Sequence, residues 1–291
     1  MTRPSRSARI LRSLAFAGLS LGLTAFAGAQ DSVHLKMGNP SHATNNTANK
    51  NNFLMVKPFY ALSYNNVKGT PNWVSWRLGK EDLGTTGSFP FQADTSLPSG
   101  FKKVEPSDYS GSGFDRGHMC PHADRAKSTE SSKATYVMSN IVPQSAENNQ
   151  RAWNEMENYI RSLVRQGKVC YIIAGPAGMG GVGKNGPATK TPTGGVVVPK
   201  WTWKVVMVLD KDVADPTQFN EDSSIRLFAA VVPNDTTPGE AWAGYRKTVA
   251  EVEELTGYTF FDKVPESIIG DLKSEPDEVS IPSPGRIQHD D

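Results

Sequence analysis

Apolar and polar positions along the chain follow two rhythms. Residues 73–78, WVSWRL, put Trp73, Ser75 and Arg77 on one side and Val74, Trp76 and Leu78 on the other. That two-residue period predicts a strand. Residues 53–56 and 59–64 come before it, the second a strand, and residues 136–141 are a further candidate. Residues 168–174, KVCYIIA, form an apolar run that predicts a buried strand, and residues 195–198, 203–209 and 226–232 predict three more. The second rhythm is helical. Over residues 149–166, Ala152, Trp153, Met156, Tyr159, Ile160, Leu163 and Val164 share one broad face, and Gly167 stops the helix. A second amphipathic helix is predicted to open at Pro238, to carry Trp242, Tyr245, Val249, Val252 and Leu255, and to end at Gly257.

The order of elements shows no regular alternation of strand and helix. This predicts an α+β fold, one domain over residues 30–270, around a largely antiparallel central sheet with flanking helices. Residues 31–52 read as an irregular lead-in, and residues 79–113, rich in Gly, Pro, Ser and Thr, as a long loop. The segment GMGGVG at 178–183, followed by Lys184, matches a dinucleotide fingerprint by letters alone. Asn185 stands where a phosphate loop needs Ser or Thr, and Pro187 and Pro192 prevent the helix that both motifs require.

The ends of the chain change the charge reading. Arg3, Arg6, Arg9 and Arg12 lead into an apolar run from Leu14 to Phe26 and then Ala27-Gly28-Ala29. This pattern predicts a secretory signal peptide at residues 1–29, removed before Gln30. The product is then an exported chain, extracellular or periplasmic, with no membrane span. The whole chain holds 31 Lys and Arg against 30 Asp and Glu, and the leader takes four of the bases and none of the acids. Residues 271–291 are acidic, rich in Pro and Ser, and expected to be disordered. The body is thus near neutral, and a nucleic-acid partner would need a local basic patch. Cys120 and Cys170 are the two cysteines. In an exported chain they could pair, or they could stay as buried thiols.

The candidate chemistry lies in residues 114–125, FDRGHMCPHADR. Here Asp115, Arg116, His118, Cys120 and His122 crowd together, with Gly117 directly before the first His. A Gly allows a tight turn and the close approach of a ligand. An Arg fork matches phosphate oxygens. His is suited to accept a proton near neutral pH. On the predicted helix, Glu157 and Arg161 are i,i+4 neighbours, and Asn149 falls ~80° round the axis from Glu157. Taken singly, these are a surface ion pair and an N-cap.

Together the motifs resemble the DNA/RNA non-specific endonucleases, whose active site is a ββα-metal (His-Me) finger. Asp115-Arg116-Gly117-His118 resembles the family signature, and residues 71–77, PNWVSWR, resemble a strand bearing a phosphate-contacting Arg. Residues 139–144 resemble the segment after the finger's hairpin. Asn149, Glu157 and Arg161 match the metal-bearing helix in type and spacing. Arg151 departs from a position often small in relatives, and the chain after Gly175 is interrupted differently from eukaryotic members. The resemblance implies a metal-dependent endonuclease acting on DNA and RNA, with 5′-phosphate products. It implies His118 as general base and one Mg²⁺, replaceable by Mn²⁺, held by Asn149 with water. Glu157 would hold those waters. Arg77 and Arg161 would grip the phosphate, with Asn140 and Gln144 as further substrate contacts. Asp115 would orient its neighbours, and Arg116 would touch phosphate or pack behind the finger. A general base must be neutral, so cleavage is expected to rise with pH through the His range.

Two other readings use the same residues. His118, Cys120 and His122 could be the ligands of a zinc-dependent hydrolase, although Pro121 disfavours the regular strand that would align them. Alternatively the chain is an exported nucleic-acid-binding protein that keeps the fold without the chemistry.

Overall fold

The computed structural model describes Met1 and residues 32–281. The rest of the leader and the last part of the acidic tail lie outside the described residues. In chain order, β1 (Phe53–Val56), β2 (Ala61–Asn65) and β3 (Thr70–Leu78) form a meander. A long irregular stretch leads to β4 (Asp115–His118). Helix α1 (Thr129–Lys133) precedes β5 (Ile141–Gln144), which pairs antiparallel with β4. A π-helical turn, Asn148–Trp153, runs directly into α2 (Asn154–Arg165). Next come β6 (Val169–Ala177), a small hairpin of β7 (Gly181–Gly183) and β8 (Gly186–Ala188), and then β9 (Trp201–Leu209) and β10 (Ile225–Pro233). The two-residue β11 (Arg246–Lys247), α3 (Val249–Thr256) and α4 (Glu266–Ser274) end the fold.

One sheet has the order β1-β2-β3-β6-β9-β10-β11. Every neighbouring pair in it is antiparallel. The two-residue period of β3 sorts its side chains between two cores. Val74, Trp76 and Leu78 join Ile172, Val206, Phe228 and the apolar face of α2. Trp73 lies on the opposite face with Tyr171, Ile173, Trp203, Val205 and residues of α3 and α4. Val74 and Leu78 are fully shielded, and burial of each contributes ~1.5–3 kcal/mol. The sheet is therefore a wall, with α2 and the β4–β5 ladder on one side of it.

Four local expectations are corrected. Of residues 136–141, only Ile141 lies in a strand, as the first residue of β5. The others turn through Ala134–Tyr136 and Met138–Asn140, because the Asn140 amide bonds to backbone at Cys120 and Thr135 and competes with ladder pairing. Residues 195–198 contribute a single bridge, Lys190 to Val197, where Gly195 takes a left-handed turn. The helix expected from Pro238 is broken. Trp242–Tyr245 is a short 3-10 turn, β11 pairs with β10, and α3 starts afresh at a Thr248–Glu251 capping box worth ~1 kcal/mol. The chain also stays anchored beyond residue 270. α4 runs to Ser274, and Arg226 grips the Asp277 carboxylate with two bonds of 2.8 and 2.7 Å. Cys120 and Cys170 are both buried and free.

Candidate active site

His118 is the last residue of β4, opposite Ile141 of β5. Three bonds fix the chain around it. The Asn140 amide accepts from Cys120 N at 3.0 Å and donates to Cys120 O at 2.8 Å. The Trp153 indole N–H donates to the His118 carbonyl at 3.3 Å, which ties the strand to the start of α2. Gly117 lies in regular strand, not in a turn. Its lack of a side chain makes room for the Gln144 amide, which a Cβ would strike.

The π-turn and α2 supply the other side of the site. A π-turn rotates the side chains before it relative to those after it, and such turns gather at functional sites. Asn149 sits in this turn, and its Nδ2 donates to Asp115 Oδ2 at 2.9 Å. Gln150 donates to the same oxygen at 2.8 Å. His118, Pro121, His122, Asn149, Trp153 and Glu157 line a common cavity of about 290 Å³. It adjoins a larger groove of about 750 Å³ through the shared residues His122 and Asn154. Lys80, Thr85, Thr86, Asn158, Arg161 and Arg165 line that groove.

The imidazole of His118 is held in its neutral form, with one ring nitrogen free of a proton. Its Nε2 is closed off from solvent without a hydrogen-bond partner, which leaves Nδ1 as the nitrogen able to meet the cavity. Burial, and secondarily the neighbouring His122, pull its pKa down to about 3. The ring is neutral at physiological pH. Glu157 is buried, and burial pushes its carboxyl upward against the opposing charges of Lys204 and Arg161. Lys204 Nζ donates to Glu157 Oε1 at 3.2 Å. Arg161 donates to Asp124 Oδ1 at 2.9 Å and to Asn158 Oδ1 at 2.6 Å. Asp124 in turn accepts from Trp76 Nε1 at 2.9 Å.

His118, Asn149, Glu157 and Asp115 thus come together, and Arg161 lines the adjoining groove. Arg77, Asn140 and Gln144 do not reach the cavity as substrate contacts, Arg116 takes the second of its two expected places, and the rival zinc set does not form. Arg77 points to the opposite face of the sheet from Trp76, where it bonds Asp212 at 2.7 Å and Glu81 at 2.5 Å. It is absent from the cavity and groove linings. Asn140 and Gln144 are both 0% exposed, so neither is a substrate contact. Asn140 is the backbone clamp described above, and Gln144 donates to Asn148 at 2.7 Å. Arg116 packs behind the strand, donating to the Pro106 carbonyl and lying 5.5 Å from the Phe91 ring centre. The proposed zinc ligands do not converge. The Cys120 thiol is buried in the apolar core and held in its protonated form by that burial, so it is withdrawn from His118 and His122. Among the described residues no three His, Cys, Asp or Glu side chains are grouped to hold a metal ion.

Residues 37–267 match the family described as DNA/RNA non-specific endonuclease. The chain belongs to that family. A nuclease of Nostoc sp. is 45% identical over 247 residues, covering 84% of this chain and 86% of the relative. The nuclease of Serratia marcescens is 27% identical over 273 residues, covering 91% and 94%. The crystal structure of an EndoG/EndoGI complex shares the fold at a TM-score of 0.65 and 23% identity, covering 81% of this chain and 92% of that one. As a member of the family the chain is a nuclease, not a bare binding protein. Among its described residues no helix is long and apolar enough to cross a membrane.

Sequence reasoning missed three residues that build this candidate site: Asp124, Trp153 as an anchor, and Lys204. Asp124 was hidden by its place in an irregular turn. Trp153 read only as one more apolar residue of the helix face. Lys204 did carry a signal, as the one charge inside the apolar run of residues 201–209.

Proposed function

We propose that the mature chain is a secreted, metal-dependent endonuclease that hydrolyses DNA and RNA phosphodiesters without base preference and leaves 5′-phosphates. The observation that carries this reading is the shared cavity of His118, Asn149 and Glu157, with a neutral imidazole open to it through Nδ1. His118 Nδ1 takes a proton from water, and the resulting hydroxide attacks phosphorus in line as the bond to the 3′-oxygen breaks. Nε2 must carry the hydrogen for Nδ1 to accept.

The donor set fits a hard divalent ion such as Mg²⁺, or Mn²⁺ in its place. Such an ion prefers oxygen and keeps most of its water, so it needs no three-residue cluster. The Asn149 amide oxygen would hold it, since Nδ2 is engaged by Asp115, and Glu157 would hold its water. When bound, it neutralises the phosphate and stabilises the departing oxygen. Arg161, braced by Asp124 and Asn158, faces the groove beside Lys80 and Arg165. A groove lined by basic and amide groups suits phosphates more than base edges, which supports weak sequence preference and tolerance of RNA. The basic, then apolar, then small-residue leader supports export.

Nicking of supercoiled plasmid and cleavage of a structureless RNA, each with Mg²⁺, Mn²⁺ or Zn²⁺, test the reading. Cleavage of both polymers with Mg²⁺ or Mn²⁺ is expected. Activity with Zn²⁺ alone, or full activity in chelator, overturns it.

A further inference from the structure

Lys204 is a charge in the middle of an apolar strand. It lies in β9 and is 0% exposed. A lysine is almost never buried so deeply without a partner. Its Nζ donates to Glu157 Oε1 at 3.2 Å. The same nitrogen lies 4.2 Å from the Trp153 ring centre and 5.8 Å from that of Trp76. Each neighbour leads to a different part of the site. Glu157 lines the cavity, Trp153 holds the His118 carbonyl, and Trp76 holds Asp124, which braces Arg161. Lys204 itself lines neither the cavity nor the groove.

We propose that Lys204 is a positioning residue of the nuclease centre, fixing the Glu157 carboxylate through Oε1 so that Oε2 is the oxygen offered to the cavity. The inference rests on the role given to Glu157 above. Without its partner, a buried carboxylate turns toward other donors or takes up a proton, and its aim is lost. The seat between two indole faces gives the ammonium a defined place, because a cation is drawn to the face of an aromatic ring. Net stability is a poor account of the pair, since apolar replacement of a buried ion pair is often neutral. Orientation is the better account.

A double-mutant cycle tests it, with kcat and KM measured on one oligonucleotide at saturating Mg²⁺. Lys204→Met is expected to lower kcat by roughly 10–100-fold, the usual loss when a supporting group is removed, with KM unchanged. In a Glu157→Gln background the same substitution should change kcat no further. An equal loss in both backgrounds, or no loss in the wild-type background, overturns the proposal. The role of Glu157 is tested separately: if Glu157→Gln alone leaves kcat intact, the reading of the site fails first. A kcat loss in Glu157→Gln with none in Lys204→Met sinks the Lys204 proposal alone. Should Lys204→Met not fold, Lys204→Gln keeps a donor without the charge and enters the same cycle. The double variant Lys204→Met/Glu157→Gln buries neither charge and serves as its folded reference.

Discussion

Asp115 and Asn149 are joined by a 2.9 Å hydrogen bond across 34 residues of chain, from the first residue of β4 to the π-turn before α2. The bond decides which end of the Asn149 amide faces the cavity. Asp115→Ala leaves that amide free to flip. Activity at limiting Mg²⁺ should fall by roughly 10–100-fold, with partial recovery at high Mg²⁺. A titration of rate against Mg²⁺ concentration checks this, and an unchanged curve removes Asp115 from the site.

If His118 acts as the proposed base and not as a ligand, His118→Ala should cut the cleavage rate by ~10²–10⁴ and leave metal binding in place. Calorimetry with Mn²⁺ beside the rate measurement separates the two roles. The pH dependence differs from the sequence expectation. With its pKa drawn down to about 3, His118 stays neutral well below the ordinary His range. It should therefore impose no fall in kcat/KM between pH 7 and about pH 5. An acid limb near the ordinary His value that disappears in a His118 variant would contradict the buried geometry.

Arg77 and Arg161 should respond oppositely to the same change. Arg161→Lys keeps the charge but loses the fork that engages Asp124 and Asn158 together, so kcat/KM should drop by ~10-fold or more. Arg77→Lys should leave kcat/KM near wild type, because that side chain serves Asp212 and Glu81 on the far face of the sheet. Steady-state kinetics of both variants on one substrate decide it. A larger loss at Arg77 would restore it to the phosphate clamp.

His34 makes the fold sensitive to acid. Arg77 N donates to its Nδ1 at 3.3 Å, and its Nε2 meets the Pro58 carbonyl at 3.2 Å, so both ring nitrogens are engaged in the neutral form. Burial, then Arg125, lower its pKa to about 4. Between about pH 6.5 and pH 4 the unfolded chain binds a proton here that the folded chain refuses. Stability is therefore full above pH 6.5 and declines as pH falls through 4, by roughly 3 kcal/mol from this residue. Thermal melts at pH 7 and pH 5 should show a smaller acid shift in His34→Gln than in the wild type. Equal shifts would place the acid sensitivity elsewhere.

The site was legible in sequence where chemistry and period coincide. Asn149 and Glu157 were read from helical spacing and His118 from its motif, and the structure brings the three to one cavity. Arg77 shows why the rest was not. The alternation WVSWRL puts it on the Trp73 face, but a strand period does not say which face the helix will cover. Asn140 and Gln144 failed because a buried amide that serves backbone has the same letters as one that serves substrate. The π-turn left no mark in the pattern, since its extra residue per turn is absorbed within one short segment. In the fold, β3 was read from its alternation and β6, β9 and β10 from their apolar runs, whereas β11 and the restart of α3 depend on local pairing and capping.

The two buried, unpaired thiols carry a consequence for where the enzyme becomes active. Cys120 and Cys170 are the chain's two cysteines, and the fold closes without joining them. Maturation then waits on no oxidising compartment. A copy that lingers in a reducing cytosol should fold to the same active form, in reach of the cell's own chromosome and messengers. On the proposed reading of a secreted enzyme, speed of export, more than redox chemistry, becomes the host's safeguard. Production of residues 30–291 without the leader, in a reducing cytoplasm, should yield a fully competent nuclease and a correspondingly sick host.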